Sequence, residues 1–172
     1  MDNSPSIKPI AYTYGLLLAA YSILVLVLIY AFNISQDNWV IGVVNIVVSI
    51  TVLVLAINNY KSKNNNYLSI KEALKVGLAT AAVSGLVAAI YAYIHYSFVY
   101  PEFIEIVKET SYQNMSDQGM SDKQISDAMA MTDFTMKPWF FATMTLVSSL
   151  FFGLLISLIA GAIMKKQDPA LG

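Results

Sequence analysis

The chain has 172 residues, 57% of them apolar and only 12% charged, with a formal net charge of −1. That charged fraction is about half that of a soluble domain and gives no basis for binding nucleic acid. The length corresponds to one domain, and with no Cys and a single His, disulfides, thiolate chemistry and multi-His metal centres are excluded.

Four long apolar runs follow one another along the chain. Residues 10–32 carry no charge, and about 20 apolar residues suffice for a helix to cross a hydrocarbon core. Lys8 precedes this run as it would in a signal peptide. The run is longer than a typical signal-peptide apolar region, however, and lacks a clear small-x-small cleavage site before Asp37, so it reads as a retained span. Residues 39–57 form the second run. Within it Asn45 and Ser49 share a face with Gly42, a pattern suited to hydrogen bonding between helices. The Asn-rich stretch 58–66 reads as a flexible turn.

Ser69 and Glu72 have the S-x-x-E spacing of a capping box, in which each side chain satisfies a free backbone N–H of the other. A helix therefore starts ahead of the third run, residues 76–100, and puts Lys71 and Lys75 where their ammonium groups reach out of the membrane. Lipid tails are as apolar as Leu, so close packing in a membrane comes from small residues that let backbones approach. The third run has such a seam in Gly77, Ala81, Ser84, Gly85 and Ala88. The fourth, residues 139–164, repeats one every four residues in Ser149, Gly153, Ser157 and Gly161. These faces predict that the third and fourth spans pack on each other, with a homodimer contact as the alternative use.

Residues 101–138 are too long for a plain connection. Pro101 suits the first turn of a helix, with Glu102 and Glu105 near its positive end. Phe103, Ile104 and Val107 make one apolar stripe and Glu102, Glu105 and Glu109 an opposite acidic face, the pattern of an amphipathic segment lying on the membrane or over the bundle mouth. Gly119 suggests a break. Ser121 with Gln124 would start a second short helix with Ile125, Ala128 and Met129 on its apolar side.

Lysine is distributed unevenly between these connections. The N-terminal tail, the second connection and the C-terminal tail hold Lys8, Lys61, Lys63, Lys71, Lys75, Lys165 and Lys166. The first connection holds none, and the third holds three among seven acids. Positive charge stays in the cytoplasm, so both termini are expected there. Trp39 and Trp139 would then fall at the outer interface. The fold class expected is an all-α four-helix transmembrane bundle, N-in and C-in, forming one integral membrane domain with a partly helical extracytoplasmic segment between spans three and four.

The stretch Leu68-Ser69-Ile70-Lys71-Glu72-Ala73-Leu74-Lys75-Val76-Gly77, followed by the aromatic exit Tyr100-Pro101-Glu102-Phe103, resembles a family of small four-span bacterial membrane proteins of the Bacteroidetes type, catalogued as a domain of unknown function. The resemblance runs from about Pro9 to Lys166. It implies a multi-pass protein of the bacterial inner membrane and brings no catalytic residues.

His95 is the sharpest polar candidate, because an ionisable group inside a span is a functional hypothesis by default. It sits among Tyr91, Tyr96 and Tyr100 near the outer end, where a structural role is the simpler account. No carboxylate accompanies it in any span, so a proton relay lacks a second station. Motifs for hydrolysis and metal binding are missing as well. The expectation is a protein that is not an enzyme, with no cofactor and no metal. It would be a scaffold or accessory subunit whose partners are the lipid bilayer and a membrane protein or further copies of itself. The alternative is a small oligomeric transporter or channel with His95 and Asn45 lining a path. A third reading is a sensor using Glu102, Glu105 and Glu109.

Overall fold

The structure, a computed structural model, describes residues 5–35 and 38–166. The described residues form six α-helices: α1 (Lys8–Ala31), α2 (Trp39–Lys63), α3 (Ile70–Ile94), α4 (Glu102–Asp117), α5 (Asp122–Thr132) and α6 (Pro138–Met164), with a π-helical turn at His95–Val99. The chain falls into two compact units, residues 1–88 with 146–172 and residues 89–145. Four helices are long and apolar enough to cross a membrane: α1, α2, α3 with its π turn, and α6. Exposed apolar side chains cover them, among them Leu17 on α1, Val47 on α2, Ile90 on α3 and Ile159 on α6. In water such surfaces would aggregate; facing lipid they cost nothing. The protein is a multi-pass membrane protein.

Helix ends follow local chemistry. α1, α2 and α4 stop in the same way, with a residue in the left-handed region just past the last turn: Asn33, Asn65 and Gly119. The next N–H then reaches back to a free carbonyl: Ile34 to Ile29 (2.9 Å), Asn66 to Lys61 (3.0 Å) and Met120 to Met115 (3.2 Å). Asn and Gly tolerate that backbone best. The Asn-rich stretch is shorter as a turn than its composition suggests. α2 runs on through Lys63, and only the last three asparagines make the turn. Ser62 has its hydroxyl bonded to the carbonyl of Asn58 (2.9 Å), so the polar residues of 58–63 are tolerated in the helix. Of the first connection, Asp37, used above to judge cleavage, lies outside the described residues.

The starts of α2, α3 and α5 are capped by side chains. Asn38 Oδ1 accepts from Val40 N–H (3.0 Å) ahead of α2. The Ser69 N–H donates to Glu72 Oε2 (2.7 Å) and the Glu72 N–H to Ser69 Oγ (3.2 Å), so the box forms at the start of α3. Gln124 Oε1 accepts from the Ser121 N–H (2.9 Å) at α5. Pro101 stands at the cap of α4 rather than in its first turn, and Pro138 opens α6, where its missing N–H costs no bond.

In the first unit one buried cluster joins four helices at their Lys-rich end: Ile10 from α1, Ala56, Ile57 and Tyr60 from α2, Ala73 and Val76 from α3, and Ala160 from α6, with Leu68 beneath the α2–α3 turn. The same end is clasped by an antiparallel bridge in which Leu68 and Lys166 exchange both backbone hydrogen bonds at 2.9 Å. Lys61 Nζ donates to the carbonyl of Met164 (2.8 Å), a cation on the negative end of α6.

Candidate functional site

The small residues of α3 and α6 meet in one antiparallel register. A Cβ built on Gly77 would overlap the Ser157 side chain, and one on Gly153 would overlap the Ala81 methyl. One on Gly85 would lie 2.9 Å from Ser149 Cβ, and one on Gly161 would lie 2.8 Å from Ala73 Cβ. Each step of four up α3, through Ala73, Gly77, Ala81 and Gly85, thus matches a step of four down α6, through Gly161, Ser157, Gly153 and Ser149. The Ser149 hydroxyl donates across the contact to the carbonyl of Ala81 (2.9 Å). Ser84 and Ala88 are also buried. Two partners in this packing escape the sequence reading. Ala73 precedes the third apolar run, yet it receives Gly161. Gly15 of α1 faces Val83 and the Thr80 carbonyl, where an added Cβ would come within 2.7 Å and 2.9 Å.

Several polar groups of the spans hold helix to helix or bond within a turn. Asn45, a candidate pore-lining residue, accepts from the Tyr21 hydroxyl at 2.7 Å and so ties α2 to α1. Asn59 donates to the Tyr14 hydroxyl (3.3 Å) between the same two helices. Tyr14 and Tyr21 are one heptad apart, which puts them on one face of α1, and that spacing was the available signal. Thr80 and Ser157 return their hydroxyls to the carbonyls four residues back, Val76 (2.8 Å) and Gly153 (2.5 Å). Gly42, by contrast, has open space where a side chain would be.

His95 lies in the second unit and is almost wholly buried. It opens the π turn, whose widened ring is closed by the Tyr100 N–H donating to the His95 carbonyl at 2.7 Å. Rings surround the imidazole: Tyr91 at 5.7 Å, Tyr96 edge-on at 5.3 Å and Tyr100 edge-on at 6.3 Å between centroids. The Tyr96 ring then stacks on Phe103 of α4 at 4.8 Å, and both meet Phe141 of α6, at 5.4 Å and 5.6 Å. A π turn inserts one residue into a helix and re-aims the side chains after it. Here it turns Tyr96 and Tyr100 onto the imidazole and onto α4.

That packing engages α4. In the stripe of Phe103, Ile104 and Val107, expected on the membrane or over the bundle mouth, Ile104 is buried and Phe103 is stacked on Tyr96. α4 and α5 form a helical hairpin, with Ile125 of α5 buried. Lys108 pairs with Asp133 (3.8 Å) across it and with Glu105 (3.5 Å) along it, and Lys137 also reaches Asp133 (3.6 Å). Glu102, Glu105 and Glu109 are exposed, and Glu109 accepts from the Gln113 carboxamide (3.2 Å). Among the described residues no three His, Asp or Glu side chains come together as a metal cage.

A family model described as proteins of unknown function, DUF4199, matches residues 13–166. No curated protein and no solved structure matches the chain.

Proposed function

We propose that this chain, which belongs to the DUF4199 family, is a non-enzymatic scaffold or accessory subunit of a bacterial inner membrane, with its Lys-rich end in the cytoplasm and the α4–α5 hairpin outside. The observation that carries the reading is the use made of the polar groups in the spans. Tyr14, Tyr21, Asn45, Asn59 and Ser149 bond helix to helix, and Thr80 and Ser157 bond within a turn. A conduction path needs polar groups that meet a solute or its water; these meet one another. His95 sits in a cage of tyrosine rings, a setting that suits packing. The acidic face of α4 is a polar surface open to recognition.

The experiment is affinity purification of the tagged protein from its native membrane into lipid nanodiscs, followed by mass spectrometry. A stoichiometric partner that is lost when Glu102, Glu105 and Glu109 are all changed to Gln supports the scaffold. Recovery of the chain alone as a defined oligomer, with solute flux in liposomes that His95→Ala or Asn45→Leu abolishes, supports the transporter instead.

A further inference from the structure

Among the described residues, lysine is concentrated at one end of the first unit. All seven Lys of that unit's described residues flank the buried cluster that joins α1, α2, α3 and α6: Lys8 starts α1, Lys61 and Lys63 end α2, Lys71 and Lys75 lie in the first turns of α3, and Lys165 and Lys166 follow α6. The only acid among the same residues is Glu72. Its carboxylate is already engaged, with Oε2 accepting from the Ser69 N–H and hydroxyl (2.7 Å each), and Oε1 from the Tyr60 hydroxyl (3.1 Å) and the Asn64 amide (3.2 Å). The ion pairs of the described residues are all in the other unit. Lys61 is committed to the Met164 carbonyl, but Lys63, Lys71, Lys75, Lys165 and Lys166 are exposed.

These cations are held together by more than composition. The Leu68–Lys166 bridge fixes the chain after α6 against the chain before α3, and Lys166 Nζ lies 5.6 Å from the centre of the Tyr67 ring. Lysines from segments far apart in sequence are therefore brought to one rim. Lys71 and Lys75 are one helical turn apart, on the same side of α3. The rim closes the end of helices whose outer faces are lipid-exposed, so the chemistry beside it is that of phospholipid headgroups.

We propose that this rim binds the phosphate headgroup of an anionic phospholipid. Basic clusters where membrane helices end are suited to such headgroups, and each lysine near an anionic surface is worth about 1 kcal/mol, about fivefold in association. The test uses the full chain reconstituted in phosphatidylcholine bilayers with trace spin-labelled lipid. Electron spin resonance then reads the association of spin-labelled phosphatidylglycerol relative to spin-labelled phosphatidylcholine. The expected result is a preference for phosphatidylglycerol of about fivefold or more. It should fall toward parity when Lys71, Lys75, Lys165 and Lys166 are all changed to Gln, and stay unchanged in a Lys108→Gln/Lys123→Gln control. Single Lys71→Gln and Lys165→Gln variants, each read alone, should lower it in part, which keeps the test decisive if the fourfold variant fails to reconstitute. Parity in the wild type overturns the proposal. So does a preference that survives the fourfold change, or one that inorganic phosphate abolishes at equal ionic strength, since the site would then take the free anion.

Discussion

Gly77 and Ser157 stand so close that a single methyl on Gly77 would overlap the Ser157 hydroxyl. The same register brings Gly153 onto Ala81, where the Ala81 methyl is the one side chain within reach of an added Cβ. Gly153→Ala should therefore destabilise the protein by about 1–3 kcal/mol, the cost of overpacking. Ala81→Gly in the same chain should return much of that loss, because the methyl has only changed helices. Thermal unfolding of the two single variants and the double variant in one detergent gives the coupling directly. Additive losses would mean that the two positions do not touch.

The Tyr21–Asn45 pair is a helix tie in lipid. Such bonds average about 0.6 kcal/mol and reach about 1.7 kcal/mol. Tyr21→Phe should cost no more than that and leave recovery of the folded protein and of any partner intact. A loss of partner or of solute movement out of proportion to the change in melting would assign Asn45 a role beyond packing.

Glu72 serves α2, the α2–α3 turn and α3 at once through its bonds to Tyr60, Asn64 and Ser69. Replacing it with Ala removes the capping box and should cost about 1–2 kcal/mol. Glu72→Gln keeps an acceptor three residues after Ser69 and should cost less. Hydrogen exchange at the first amides of α3 checks this. Faster exchange in the Ala variant than in the Gln variant is the expected order.

The α4–α5 hairpin rests on its apolar contacts more than on its ions. Asp133→Ala breaks two exposed pairs and should change stability by less than about 1 kcal/mol. Ile125→Ala empties a buried site and should cost about 2–5 kcal/mol. Limited proteolysis between Gln118 and Ser121 should accelerate in the second variant and hardly in the first.

Much of this was legible in the chain. The four spans, both capping boxes and the small-residue steps on α3 and α6 are local patterns, and each is written within a few residues of sequence. Gly119 could be read as a break because helices commonly end on a left-handed residue, which glycine adopts freely. Asn65 served the same end, but a run of asparagines does not say which one turns. Hence α2 continues to Lys63 where a loop was expected. The inward turn of Phe103 was hidden for another reason. An amphipathic stripe has the same spacing whether it meets lipid or aromatic rings, and the π turn that brings Tyr96 onto it has no signature in composition. The Leu68–Lys166 clasp joins residues nearly a hundred positions apart, and pairing at that range leaves no local trace.

The topology we propose, with the Lys-rich end in the cytoplasm and the α4–α5 hairpin outside, is open to direct test. The chain has no Cys, so single cysteines can be placed without a background. Ser62→Cys, beside the rim, and Ser126→Cys, on α5, are both at exposed positions. Labelling intact cells, whose outer membrane has been permeabilised, with a maleimide that cannot cross the inner membrane should modify Ser126→Cys and leave Ser62→Cys until the cells are lysed. Both cysteines modified before lysis, or the reverse order, would contradict it.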